Sequence, residues 1–256
     1  MLEDGATARG SVTTIQRVGD TIRRPMGRWT PVVHALLRHL EAVGFTGAPR
    51  VLGVDEQGRE ILSFLRGSAA MRPWPAILRE EQGLVSLGRW LRDYHEAVRG
   101  FVPASNADWY VPDLHWQPGQ IVRHGDLGPW NTIWLEDRLV GVIDWDFAEP
   151  GESIDDIAQV AWYAVPLRPE EQCRMAGFEQ APDLQARLWA LCDTCGVTPA
   201  AVLDALANLQ VTELRRTTYL GQRGVAPWAG FLERGDQQEI SAENLWLIEH
   251  RAQLLG

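Results

Sequence analysis

The 256-residue chain contains no lysine: all 24 of its basic side chains are arginine. Any fixed cation that meets a phosphate or a carboxylate must therefore be a guanidinium, a planar fork of donors that keeps its charge. Cysteine is scarce, at three residues, which excludes a disulfide framework. Two of the three form Cys192-Asp193-Thr194-Cys195, but this C-x-x-C closes a helical pattern over Leu184 to Leu191 and no second Cys/His pair follows. The thiols therefore read as ordinary side chains, not as a zinc or redox centre. No apolar run reaches the roughly 18 residues of a membrane span, and Met1 to Gly10 lacks the apolar stretch of a signal peptide. The expectation is a cytoplasmic protein with no membrane partner. Acidic groups dominate, and a net charge of −10 argues against a nucleic-acid partner, because nothing supplies a phosphate-neutralising surface. The same charge fits a cationic small-molecule substrate.

What is present is an ordinary globular composition, 45% apolar and 23% charged, in a chain long enough for one two-lobed unit. Tryptophan is abundant, at twelve residues. Trp109, Trp116, Trp130, Trp134 and Trp145 surround the most informative region, where aromatic rings serve core and loop packing first. That region is His124-Gly125-Asp126-Leu127-Gly128-Pro129-Trp130-Asn131, then the apolar run Leu139 to Ile143, then Asp144-Trp145-Asp146-Phe147. It offers a carboxylate and an amide five positions apart in a loop, and a second carboxylate at the mouth of a buried strand. Each piece alone is a commonplace turn or strand end. Together they supply what phosphoryl transfer needs: a carboxylate to orient an acceptor hydroxyl, and oxygen ligands for a hard cation.

The pattern H-x-D-x-x-x-x-N followed by I-D-x-D resembles the aminoglycoside phosphotransferase (APH) family, which shares the protein-kinase-like fold. The resemblance runs from about Gly10 to Ala164, and the C-terminal third follows it only as a helical region. It implies that Asp126 is the catalytic base, that Asn131 and Asp144 bind Mg²⁺, and that ATP or GTP donates a phosphoryl group to a small molecule's hydroxyl. It gives His124 and Asp146 supporting roles, and places near Asp156 an aspartate that braces the catalytic loop. Kinase-like folds anchor the donor's phosphates with a strand lysine, which here must be an arginine. Gly10 to Arg24 reads as a hairpin with its turn at Gly19-Asp20, and Arg23 takes the anchor's place on the return strand, with Arg24 as the fallback. Gly10-Ser11 is the one candidate for a phosphate-covering loop. A helix follows, with Thr30 as N-cap, Pro31 in the first turn and an apolar stripe of Val33, Leu36, Leu37 and Leu40. His34 stands where the family carries a glutamate, and Glu41 lies near the helix end.

Val51 to Val54 and Glu60 to Phe64 read as two further strands, and their exit, Phe64-Leu65-Arg66-Gly67, as the hinge whose Phe64 and Leu65 would face the adenine. Beyond it helices dominate: Leu84 to Arg99, one opened by a Ser153-to-Asp156 capping box, one from Thr198 to about Leu220, and a last one capped by Ser241. The predicted fold class is α+β, a two-lobed protein-kinase-like fold with a reduced antiparallel N-terminal lobe (1–67, nucleotide binding) and a mostly helical C-terminal lobe (68–256, catalysis and substrate binding). The function this predicts is Mg²⁺-dependent phosphoryl transfer to a small-molecule alcohol. The alternative is a kinase-fold binding protein that keeps the fold without efficient transfer.

Overall fold

The computed structural model describes residues 4–5, 7–9 and 14–256; the Gly10-Ser11 turn lies outside them. β1 (Thr7–Arg9), β2 (Thr14–Val18) and β3 (Thr21–Pro25) run antiparallel in succession. Gly19, at φ +61°, lets the β2–β3 turn close. β4 (Val51–Val54) and β5 (Arg59–Ser63) form a second hairpin, and the Asp55 carboxylate holds its turn by accepting from the Gln57 and Arg59 amides. β5 pairs with β3, which gives the sheet order β1-β2-β3-β5-β4. In that register Arg24 lies opposite Glu60 and Arg23 opposite Ile61. Between the hairpins, α1 (Thr30–Ala42) buries Val33, Leu36, Leu37 and Leu40 against the sheet and core. The predicted cap is one residue out: Thr30 is already helical, Trp29 holds the N-cap position, and the Thr30 hydroxyl accepts from the Gly27 amide.

After residues 64–67 the chain enters a mostly helical half. β6 (Ser68–Ala69) leads to α2 (Ala76–Arg79) and α3 (Glu81–Val98). Four short strands follow: β7 (Ile121–Arg123), β8 (Thr132–Leu135), β9 (Arg138–Val142) and β10 (Glu149–Gly151). β7 pairs with β10, and β6, β8 and β9 make a separate three-stranded sheet. The His124-to-Asn131 loop thus links β7 to β8, and Asp144 lies between β9 and β10. The remaining helices are α4 (Ser153–Tyr163), α5 (Glu170–Met175), α6 (Leu184–Cys195), α7 (Pro199–Gln222), α8 (Trp228–Arg234) and α9 (Asp236–Leu255). α7 packs against both α4 and α9, and α3 against α6. This is the two-lobed protein-kinase-like architecture, a small antiparallel lobe above a helical one.

Two caps differ from expectation. α4 is closed by a reciprocal box between Glu152 and Asp155, not by Ser153. Ser241 lies inside α9, which starts five residues earlier, after Gly235 in the left-handed region. A polar residue four positions before an apolar run resembles a cap but need not be one when the preceding residues already sustain the helix. All three cysteines are free. Burial pushes the Cys192 and Cys195 thiols up to about 12, which removes the thiolate that redox or metal chemistry requires. No single helix among the described residues is long and apolar enough to cross a membrane.

A continuous aromatic column joins the helical core to the catalytic loop. Trp90 and Tyr94 on α3 stack at 5.3 Å, Tyr94 meets Trp145 edge-on at 5.1 Å, and Trp145 lies 4.6 Å from the His124 ring. Leu91, fully buried on the same helix, shares that layer. Leu91→Ala should therefore cost about 2–5 kcal/mol in denaturant unfolding, whereas Leu245→Ala, at an exposed site, should change stability by less than about 0.5 kcal/mol. Equal costs at the two positions would contradict this assignment of the core.

Candidate active site

The His124-to-Asn131 loop is fastened from beneath by α4. Asp156, fully buried in its first turn, accepts from the His124 amide at 3.1 Å and meets His95 Nε2 at 3.3 Å. Gln159, one turn on, accepts from the Leu127 amide at 2.8 Å and donates to the Gly125 carbonyl at 3.1 Å. His124 works as a neutral strut: Nε2–H donates to the Ile143 carbonyl at 3.0 Å, and Nδ1 accepts from the Asp126 amide at 3.3 Å. Its burial depresses the imidazolium, so both bonds persist near neutral pH. Gly125, at φ +80°, is a position no other residue can take, because a Cβ there would lie 1.9 Å from the Phe147 carbonyl oxygen. The two acidic segments are therefore in backbone contact.

Asp126 projects from this loop, half-buried. The Asn131 amide nitrogen donates to Asp126 Oδ2 and to its backbone carbonyl, both at 2.8 Å, and the Trp130 indole approaches Oδ2 at 3.4 Å. Burial and, second, the charge of Asp144 push the Asp126 carboxyl up to about 7, against the pull of those two donors. A carboxylate poised near neutrality is matched to take a proton from an alcohol. Asp144, directly after β9, adopts left-handed φ 64°, ψ 65°, a conformation that costs a non-glycine residue on the order of 1–2 kcal/mol. Its side chain stays 40% exposed. The turn directs this carboxylate back towards the catalytic loop and the upper sheet.

The structure does not bring Arg23 to this site. Arg23 lies on the opposite face of β3, with Nη1 3.6 Å from Asp55. Arg24, its neighbour and the fallback candidate, turns inward and is buried. Its Nε donates to Glu60 at 2.6 Å, Nη1 to Asp144 at 2.9 Å and Nη2 to Asp146 at 2.6 Å. Burial opposes that charge, but the three carboxylates outweigh it and raise the Arg24 pKa. Glu60 in turn accepts from His34 Nε2 at 2.6 Å. The alternation read from the sequence was sound, but the face was the wrong one. β3 runs on to Pro25, and Glu60 on β5 draws Arg24 inward.

The donor set suits Mg²⁺. Asn131 commits its amide nitrogen to Asp126, and its Oδ1 accepts no hydrogen bond among the described residues. Asp144 engages Arg24 through one oxygen only. No group of three His, Cys, Asp or Glu residues able to hold a metal occurs among the described residues. One carboxylate and one amide oxygen, completed by substrate phosphates and water, is the coordination Mg²⁺ prefers.

Residues 107–190 match the phosphotransferase enzyme family, APH. The trifolitoxin immunity protein of Rhizobium leguminosarum bv. trifolii is 36% identical over 175 residues, or 66% of this chain, and the match spans 65% of that protein's length. Among solved structures, the GDP complex of aminoglycoside 2'-phosphotransferase-IIIa superposes with a TM-score of 0.55 at 16% identity, over 99% of this chain and 94% of that one. The streptomycin–ATP–APH(2")-IIa ternary complex gives 0.55 at 10% identity, over 84% of each chain. At such identities the likeness is one of fold.

The surroundings of the strand cation differ from those that the sequence resemblance implied. The carboxylate partner of the strand cation comes from β5, as Glu60, and the helix contributes His34 to the far side of that carboxylate. Glu41, the other helix candidate, faces Arg50 on the surface. Neither Glu60 nor Gln159 was predicted from sequence. A glutamate on the inward face of a strand is, however, a signal in itself, because a buried charge needs a partner. Burial alone would raise the Glu60 carboxyl, but the His34 bond and the Arg24 charge outweigh it and hold it below its ordinary 4.5. The stabilisation this implies is complete above that value and is lost as pH falls through the depressed one. Glu60→Gln should thus cost about 3–5 kcal/mol at pH 7, with the gap to the parent closing as the solution is acidified below about 4.5. Urea unfolding of both proteins from pH 7 to pH 3 measures it, and a gap that stays constant or widens in acid would refute the assignment.

Proposed function

We propose that the chain is a small-molecule phosphotransferase that moves the γ-phosphoryl group of ATP or GTP to an alcohol hydroxyl. The observation that carries this reading is the approach of two polar pairs at the junction of the two lobes, Asn131 bonded to Asp126 and Arg24 bonded to Asp144, with the Asp144 charge near enough to act on Asp126. In this scheme the acceptor oxygen forms a bond to the γ-phosphorus as the bridging bond to the β-phosphate breaks. Asp126 takes the hydroxyl proton, and a nucleoside diphosphate leaves. Asn131 fixes Asp126, and the Asn131 Oδ1 and the Asp144 carboxylate would hold Mg²⁺, which would neutralise the donor's phosphates. Arg24 is the phosphate anchor in place of Arg23, and Glu60 with His34 holds it in position. Phe64 and Leu65, on the connection between the lobes, would meet the nucleobase, with the lobes divided at 67/68. Positioning and charge neutralisation carry most of the catalysis in such transfers. The immunity relative suggests that the acceptor is a toxic compound inactivated by phosphorylation.

One observation favours a second reading, a binding protein without turnover: Arg24 already occupies one oxygen of Asp144. Titration calorimetry with Mg²⁺–ATP and Mg²⁺–GTP, paired with a nucleoside-diphosphate release assay, separates the two. Asp126→Asn should lose transfer by roughly 10²-fold or more with nucleotide affinity nearly unchanged, since the carboxylate meets the acceptor rather than the donor. Asp144→Ala should lose the metal-dependent part of nucleotide binding. Arg24→Ala should weaken nucleotide binding by about 10- to 100-fold, and Arg23→Ala by much less. Nucleotide binding with turnover that ignores Asp126→Asn would leave only the binding protein.

A further inference from the structure

A cavity of about 480 Å³ opens beside the catalytic loop, and Arg72, Trp74, Trp130, Tyr163, Arg168 and Glu239 are among its walls. Trp130 connects it to the chemistry, because the same indole that forms a wall reaches Asp126 Oδ2 at 3.4 Å. That ring is fixed from below: a Cβ on Gly128 would fall 2.3 Å from it, and Tyr163 meets it edge-on at 4.9 Å. Tyr163 is itself backed by Trp162, stacked at 4.7 Å. The walls are thus flat, rigid and aromatic.

The polar groups divide into committed and uncommitted ones. Arg168 is buried and fully engaged: Nε donates to Glu243 at 2.6 Å and Nη2 to Glu239 at 3.2 Å. Glu243 is turned away from the cavity and also accepts from the Trp162 indole at 2.7 Å. Glu239 uses one oxygen for both Arg168 and Gln172. By contrast, the Trp74 indole N–H and the Tyr163 hydroxyl form no hydrogen bond among the described residues. The exposed Arg72 guanidinium meets the Met175 sulfur at 3.9 Å and forms no ion pair among the described residues. Burial and then Arg168 lower its pKa, against the pull of Glu239 and Glu243. The two arginines and two glutamates balance in charge, but both glutamates are bonded to Arg168, so Arg72 is the group whose charge is left for a ligand.

We propose, building on the phosphotransferase reading, that this cavity is the acceptor subsite and that it takes a planar aromatic alcohol bearing a carboxylate. The ring would lie against Trp74 and Trp130, the carboxylate would pair with Arg72, and the hydroxyl would point past Trp130 to Asp126. A polycation finds no uncommitted pair of carboxylates in these walls, since Glu239 and Glu243 are both bonded to Arg168. The acidic net charge of the whole chain, which suggested a cationic substrate, is therefore a poor guide to this pocket.

Calorimetry in the absence of nucleotide tests the subsite separately from the transfer reaction, with indole-3-lactate, tryptophol and kanamycin as probes. Indole-3-lactate should bind best, tryptophol about tenfold more weakly for want of the charge-assisted contact, and kanamycin more weakly than either. Arg72→Gln should erase the advantage of indole-3-lactate over tryptophol, and Trp74→Ala should weaken both. Preference for kanamycin, no effect of the carboxylate, or no binding by either indole would overturn the proposal, whatever the nucleotide measurements give. Conversely, indole-3-lactate binding with the expected Arg72 dependence but no Asp126-dependent turnover would uphold the subsite while removing the transfer reaction.

Discussion

The buried guanidinium of Arg24 is the interaction on which the rest of the site depends. Among the described residues it is the cation that bonds both the upper sheet, through Glu60, and the segment after β9, through Asp144 and Asp146. Remove it and the buried Glu60 and Asp146 lose their shared guanidinium, a change far more costly than losing an exposed ion pair. The clasp therefore ties the relative placement of the two lobes to the position of the Asp144 carboxylate. A structural necessity and a chemical one have been met by the same side chain.

Much of this was legible in the letters, for identifiable reasons. The Asp126–Asn131–Asp144 constellation could be read because local backbone chemistry fixes it: a glycine-bearing loop, a short buried strand and a tight turn leave few places for those side chains to go. The lobes could be read because β-branched hairpins give way to helical periodicity near residue 68. What could not be read was the choice between Arg23 and Arg24. Strand alternation says that they face opposite ways, but not which way is in. That is decided by Glu60, thirty-six residues on and opposite Arg24 only after β3 and β5 pair. The caps of α4 and α9 failed for a smaller reason, since several polar residues near a helix start can each satisfy its amides. The aromatic cavity beside Trp130 was invisible, because its walls come from four separate stretches of chain.

The electrostatics of the site follow from crowding acidic groups around very few cations. Asp126 and Asp146 are both pushed upward, first by burial, with the charge of Asp144 adding to each. Asp144 itself sits in a left-handed backbone turn and remains partly exposed. Strain and like-charge repulsion at one residue are tolerable when the surroundings over-determine its position. Here Gly125 against Phe147, and Arg24 against Asp144 and Asp146, do so. Stability is given up locally to keep a partly exposed carboxylate, bonded to Arg24 through one oxygen, at the edge of the cleft.

The complete lack of lysine then takes on a physical meaning. An ammonium is a compact point charge, whereas the guanidinium presents Nε, Nη1 and Nη2 along separate directions. Arg24 uses each of the three for a different carboxylate, an arrangement a lysine could not reproduce without leaving at least one buried acid unpaired. The carboxylate partners of Arg24 come from β5 and the segment after β9, and His34 on α1 meets Glu60 from the far side.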